Sequence, residues 1–315
     1  MKYIKRVLLL LVSIICLGVI LFIIDYLILN ISYLKNRDIF IEVYDIHGNE
    51  NGYVPQGITY SKKYNVILQT SYNKNDISML YVIDYETGNL IKELKIKDSN
   101  GNDSYEHVGG ITTNDDKVWI SNDYLISEFN ITDIMNAKGD SVKSIGDIKT
   151  YNRGDFCYYD NNILWIGDFY LKNVYDVDND NPLLIGYEVN NEINLTKPVY
   201  AISIPKMFQG MSIVDGKFVF TSSYSNLFKS NLYVYKNVLE EKETKYYYIA
   251  GVKVPYHELS KEKLIKNVKL SPMAEGIFYN EGYLYILYEN SSDEYEFTYP
   301  KIRKIVKYDL GDLNE

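Results

Sequence analysis

Five times along the chain a short polar, glycine-bearing start leads into an apolar residue, and each time a second β-rich run follows after a polar turn. The starts are Pro55-Gln56-Gly57-Ile58, His107-Val108-Gly109-Gly110-Ile111, Arg153-Gly154-Asp155-Phe156-Cys157, Phe208-Gln209-Gly210-Met211 and Ala274-Glu275-Gly276-Ile277. Self-similarity of this kind decides the fold class before any single element is read. The second runs cover 66–72, 118–123, 164–169, 218–224 and 284–289, and third runs cover 80–85, 124–130, 184–189, 232–235 and 302–308. Fourth runs cover 90–96, 142–148, 199–204 and 265–270. All are short, rich in Val, Ile, Tyr, Phe and Trp, and bounded by Asn, Asp and Gly, the signature of antiparallel strands.

Four strands per unit predict the blades of a β-propeller, because a flat sheet of some twenty strands would leave long edges exposed while a ring does not. The fifth unit lacks a fourth strand, and residues 39–46 (IFIEVYDI) stand ahead of the first unit without a partner. The expectation is an all-β, five-bladed propeller closed by pairing the N-terminal strand with the last blade. Residues 237–262 read as an insertion carrying a surface hairpin around Gly251, with a degenerate sixth blade as the alternative.

Ahead of the repeats, residues 7–24 are apolar apart from Ser13, Cys16 and Gly18, with Lys2, Lys5 and Arg6 before them. Eighteen residues span about 27 Å as a helix, close to the ~30 Å hydrocarbon layer. The division expected is a cytoplasmic end (1–6), a transmembrane signal anchor (7–30), a linker (31–37) and a propeller (38–315). The cationic flank keeps the N-terminus in the cytoplasm and places the propeller outside the cell membrane. No small-x-small cleavage site follows the apolar run, which favours an anchor over a cleaved leader.

Composition closes off other classes. With 33 basic against 42 acidic residues and a net charge of -9, the chain lacks the basic footprint of a nucleic-acid binder. Cys16 and Cys157 lie in different parts of the molecule and cannot staple one domain. No P-loop, dinucleotide fingerprint or nucleophile elbow is present. Asp176-x-Asp178-x-Asp180 begins like a calcium loop but has Asn181 where glycine is needed and Tyr187 at the twelfth position, so it reads as a polar loop.

In a propeller the start of each innermost strand and the end of each second strand meet at one mouth of the central channel. That rule selects Gln56, His107, Arg153, Asp155, Gln209 and Glu275 from the starts, and Tyr72, Asp123, Asp168, Tyr224 and Glu289 from the ends. A ring of polar groups in a concave opening is where a small molecule, glycan or peptide binds. The glycines read as close packing near the axis. The carboxylates could hold a hard cation such as Ca²⁺. His107 could serve as a base, whereas His47 and His257 fall elsewhere and leave no histidine-rich metal site.

The opening Tyr53-Val54-Pro55-Gln56-Gly57-Ile58-Thr59-Tyr60, with Gln69-Thr70-Ser71-Tyr72 and residues 80–88, resembles the first blade of plant-type glutamine cyclotransferases, which are five-bladed propellers that cyclise N-terminal glutamine. The resemblance places Gln56 on that family's Gln-Gly pair, but Gln69 stands where its glutamate is expected, and Trp119 and Trp165 do not match its pocket tryptophans. Over residues 53–310 the chain looks more like bacterial extracytoplasmic propellers to which no reaction is assigned. Ligand binding at the mouth is therefore the function expected. A divergent cyclotransferase, a metal-assisted hydrolase or lactonase, and an interaction scaffold are the alternatives.

Overall fold

The computed structural model describes residues 2–177, 181–189, 197–242, 245–296 and 298–311. Helix α1 (Lys2–Lys35) is long and apolar enough to cross a membrane. It continues five residues past the end expected for the anchor, into the segment read from the sequence as linker. Strand β1 (Phe40–Asp45) follows at once.

Blade one is β2 (Val54–Ser61), β3 (Val66–Asn73), β4 (Asp76–Asp84) and β5 (Leu90–Lys97), innermost to outermost. Blade two is β6 (Gly110–Thr113), β7 (Lys117–Asn122) and β8 (Leu125–Asn130), then helix α2 (Ile131–Asn136), strand β9 (Ser141–Lys143) and outermost strand β10 (Gly146–Lys149). Blade three is β11 (Phe156–Asp160), β12 (Ile163–Gly167), β13 (Leu183–Glu188) and β14 (Pro198–Ser203). Blade four runs β15 (Phe208–Val214), β16 (Lys217–Ser222) and β17 (Ser230–Tyr235), is interrupted by β18 (Lys245–Ile249) and β19 (Val252–Glu258), and ends with β20 (Leu264–Leu270). Blade five has β21 (Ala274–Asn280), β22 (Tyr283–Tyr288) and β23 (Lys304–Asp309).

The expected closure is present. β1 pairs antiparallel with β23, Phe40 opposite Tyr308 and Asp45 opposite Lys304, so the start of the propeller supplies the outermost strand of its last blade. Each of the five junctions between neighbouring blades holds one apolar cluster. The chain's many tyrosines serve this packing: Tyr81, Tyr85, Tyr285 and Tyr44 fill the junction of blades five and one, and the ring of Phe278 stacks on Tyr285 at 4.5 Å. Trp119 and Trp165 are fully buried between blades.

Two segments differ from the expected strands. Residues 142–148, expected as one strand, are divided: β9 pairs in parallel with β5 of blade one, and only β10 stays in blade two. Asp147 holds the bend, accepting from the Ser99 amide (2.6 Å) and from the hydroxyls of Ser127 and Ser144 (2.7 and 2.8 Å). The insertion is indeed a hairpin and adds no sixth blade. Its strand β19 pairs in parallel with β14, extending blade three to six strands, while Ile249 and Val254 join the core between blades two and three.

The glycines explain why the ring is narrow. A Cβ on Gly57 would lie 2.8 Å from the Ile111 amide, one on Gly110 2.5 Å from the Cys157 amide, and one on Gly276 2.8 Å from the Gln56 carbonyl. Neighbouring inner strands therefore touch backbone to backbone. Two hydroxyls lock the contact: Thr70 donates to the Val108 carbonyl (2.9 Å) and accepts from the Gly57 amide (3.0 Å), and Thr221 donates to the Glu275 carbonyl (2.6 Å). The space left on the axis is about 10 Å³, at the limit for one water. The central channel expected of the ring is thus a funnel with a closed floor.

Candidate functional site

Above that floor lies a recess of ≈ 540 Å³ lined by Gln56, Tyr72, His107, Asp123, Arg153, Asp155, Gln209, Tyr224 and Glu289. All nine belong to the set selected from the repeat. The remaining two, Glu275 and Asp168, are placed differently. Glu275 is buried behind the lining, where the Gln209 amide donates to it at 2.9 Å. Asp168 is also buried. Its oxygens accept from the backbone amides of Arg153 (2.7 Å) and Leu183 (3.0 Å), which turns the side chain away from the mouth to fasten the entry of blade three. It borders a second, smaller groove of ≈ 200 Å³.

Two charged groups organise the recess. On one side Glu275 and Glu289 share a hydrogen bond, and the Gln56 amide donates to Glu289 at 2.6 Å. Burial and the neighbouring carboxylate hold Glu275 well above the usual carboxylate range. Burial pushes Glu289 up to about 7, against the opposing pull of its bonds to Gln56 and Glu275. A single proton on Glu275, donated to the Glu289 carboxylate, satisfies both groups: two carboxylates in contact cannot both ionise cheaply. The flanking amides of Gln56 and Gln209 can only donate to these oxygens, so they fix which atoms point at each other.

On the other side Arg153 bridges two acids, its Nη2 at 2.8 Å from Asp123 and its Nε at 2.9 Å from Asp155. Its guanidinium lies over the ring of Tyr175, 4.9 Å from the centroid. Burial raises Asp155 to about 7, opposed by the charge of Arg153 and by the Phe169 amide, which donates to Asp155 at 2.7 Å. The His107 ring packs at a tilt against Tyr72, with centroids 4.4 Å apart. It faces the cavity, yet the funnel walls surround it, and this desolvation lowers its pKa to about 4. His107 is therefore a neutral donor and acceptor at pH 7, not a cation.

Residues outside the selected set complete the lining: Phe169, Tyr175, Ser223, Ser225, Asn226, Met273 and Tyr295. Tyr295 comes from the long connection between β22 and β23 and hydrogen-bonds Tyr72 across the mouth. The length of that connection was its only signal in the sequence. The chain enters several inner strands through left-handed residues, Val108 (φ 49), Met207 (φ 64) and Met273 (φ 64). For the branched Val108 this is a strained conformation, of the kind that collects at ligand sites.

The carboxylates do not suit a calcium ion. Among the described residues no group of three acidic, histidine or cysteine side chains converges, because Asp123 and Asp155 are engaged by Arg153 and Asp168 by backbone amides. Asp178 and Asp180 lie outside the described residues. Gln69 does not reach the recess: it is buried, and its amide group exchanges hydrogen bonds with the backbone of His47 at 2.9 and 3.2 Å, pinning the segment after β1. Cys157 is buried with its thiol pushed up to about 12, so it is inert at neutral pH.

No family model and no curated protein matches the chain. Solved structures with a similar arrangement include glutaminyl cyclase from Myxococcus xanthus, at 10% identity and a TM-score of 0.48 over 87% of this chain and 97% of that one. The WD40 repeats of RRP9 align at 6% identity and a TM-score of 0.45, covering 86% and 98%. A chain of a nidogen/laminin complex aligns at 10% identity and a TM-score of 0.40, covering 75% and 73%. The five blades described above rest on this chain's own strand pairing.

Proposed function

We propose that this chain is a membrane-anchored, extracytoplasmic propeller that binds a small molecule or peptide end carrying an ammonium group, seated against Glu289 in the funnel. The observation that carries this reading is the Glu275–Glu289 pair, hydrogen-bonded to Gln56 and Gln209 at the base of the recess. Burying two carboxyls is costly, and blades pack as well through apolar residues. A carboxyl pair of which one member, Glu289, ionises near neutrality is a feature of sites that meet a ligand. An arriving cation would pair with the ionised Glu289 carboxylate, so affinity rises as pH climbs through about 7. The acidic lining argues against phosphate-bearing ligands, and Lys2, Lys5 and Arg6 favour a cytoplasmic N-terminus.

A second reading uses the same pair as a general acid and base. A carboxyl with a pKa of about 7 suits proton transfer at neutral pH, and the first-blade resemblance makes cyclisation of an N-terminal glutamine the reaction to try. The test is calorimetric titration of the full chain in nanodiscs with ethanolamine, a glutamine-led peptide and the uncharged sugar glucose, in wild type and Glu289→Gln. Saturable binding of the amines that strengthens at higher pH and disappears in Glu289→Gln supports the reading. Binding of glucose alone, or amine binding untouched by the substitution, overturns it. Release of ammonia with formation of a pyroglutamyl peptide moves the assignment to the enzyme.

A further inference from the structure

The C-terminal end of α1 is docked on the propeller, and the docking sets which face looks toward the membrane. β1 begins at the face opposite the funnel, since Phe40 pairs with Tyr308 at the far end of β23. From there α1 runs back along the outer wall between blades four and five. The Tyr33 hydroxyl bonds Glu42, and Tyr33 and Phe40 pack on the apolar cluster of that junction. Further toward the N-terminus, Ser32 accepts from Lys229 at 2.8 Å, and Tyr26 meets the ring of Tyr299 at 4.8 Å. Lys229 and Tyr299 lie on the connections β16–β17 and β22–β23, which belong to the funnel face. The part of α1 before Tyr26 therefore stands clear beyond the funnel face, with its apolar side chains exposed. About 24 residues at 1.5 Å each give roughly 36 Å, enough for one hydrocarbon layer.

The same face carries exposed aromatic and aliphatic side chains around the funnel: Tyr105, Tyr151, Tyr224, Leu227, Phe228 and Tyr299, with Phe228 71% exposed. On the opposite face, the turns joining first to second strands hold none among the described residues, and the exposed Ile39, Leu90 and Ile91 stand at the starts of the outermost strands β1 and β5. Tyrosines with polar tips and apolar bodies are suited to the headgroup level of a bilayer. We propose that the funnel face lies against the membrane surface, with these side chains in the interface, so that the funnel opens onto the bilayer and takes its ligand from the membrane plane. This rests on α1 being a membrane anchor and is independent of the ligand's chemistry.

The test uses the full chain with Cys16→Ser, reconstituted in phosphatidylcholine–phosphatidylglycerol vesicles, with a fluorophore on one introduced cysteine at a time. Phe228→Cys reports beside the helix, Tyr105→Cys across the funnel from it, and Asp116→Cys on the opposite face. Vesicles containing headgroup-spin-labelled lipid should quench the first two several-fold more than the third. Co-flotation with the vesicles is measured first. If the protein fails to float, the anchor reading and the proposal fall together. If it floats but positions 105 and 116 are quenched equally, the anchor stands and the proposed orientation is overturned.

Discussion

Replacing Glu289 by glutamine should make the protein's stability less sensitive to alkali, because the carboxyl pair is an electrostatic load that grows with pH. The folded state raises the ionisation of Glu289 from 4.5 to about 7. A carboxyl whose folded pKa is raised contributes its stability fully below its unfolded value and loses it as pH climbs through the folded one. Moving the ionisation that far corresponds to about 3 kcal/mol. Glu289 is only partly buried where it lines the recess, and most of the change falls between about pH 5 and pH 8, so about 2 kcal/mol is the expected difference in that window. The variant keeps the local bonding, since a glutamine carbonyl can accept from both Gln56 and protonated Glu275. Thermal melts of wild type and Glu289→Gln across that range provide the assay: the wild-type melting temperature should fall relative to the variant by several degrees as pH rises. Parallel curves, or a variant that loses ground at high pH, would refute the shared-proton account of the site.

The packing of the ring gives further expectations. Gly276→Ala sets a methyl 2.8 Å from the Gln56 carbonyl and the Ile58 amide and should cost about 2–4 kcal/mol by denaturant titration. Gly139→Ala, with nothing within 4 Å, should stay within about 0.5 kcal/mol of wild type. Thr221→Val removes the hydroxyl that bonds the Glu275 carbonyl and should cost about 1–2 kcal/mol. Its melting temperature should drop at every pH, in contrast to the pH-selective effect at Glu289.

The architecture was legible because a propeller repeats its constraints. Four of the five blades carry a glycine where inner strands touch, so Gly57, Gly110, Gly210 and Gly276 mark the register, and the unpaired run 39–46 could be matched to the missing strand. Phe156 takes the equivalent place in blade three, where its ring fills the space that glycine leaves at Gly167. The mouth set came from the same geometry. The division of 142–148 was hidden because Asp147 reads as one polar position in a strand, and only its three partners from two blades make it a bend. Asp168 has the right place in the repeat, but the amides of Arg153 and Leu183 compete for its oxygens. Tyr295 enters from a connection without periodicity, and the docking of α1 depends on contacts remote in sequence, Tyr26 with Tyr299 and Ser32 with Lys229.

The most direct test of the central claim is an experimental structure of the full chain purified from its own membranes, inspected for density in the funnel. The account predicts a polar molecule against Glu289 with a donor group within hydrogen-bond reach of its carboxylate. A funnel holding only water while a ligand sits in the groove beside Tyr248 and Asp168 would contradict it.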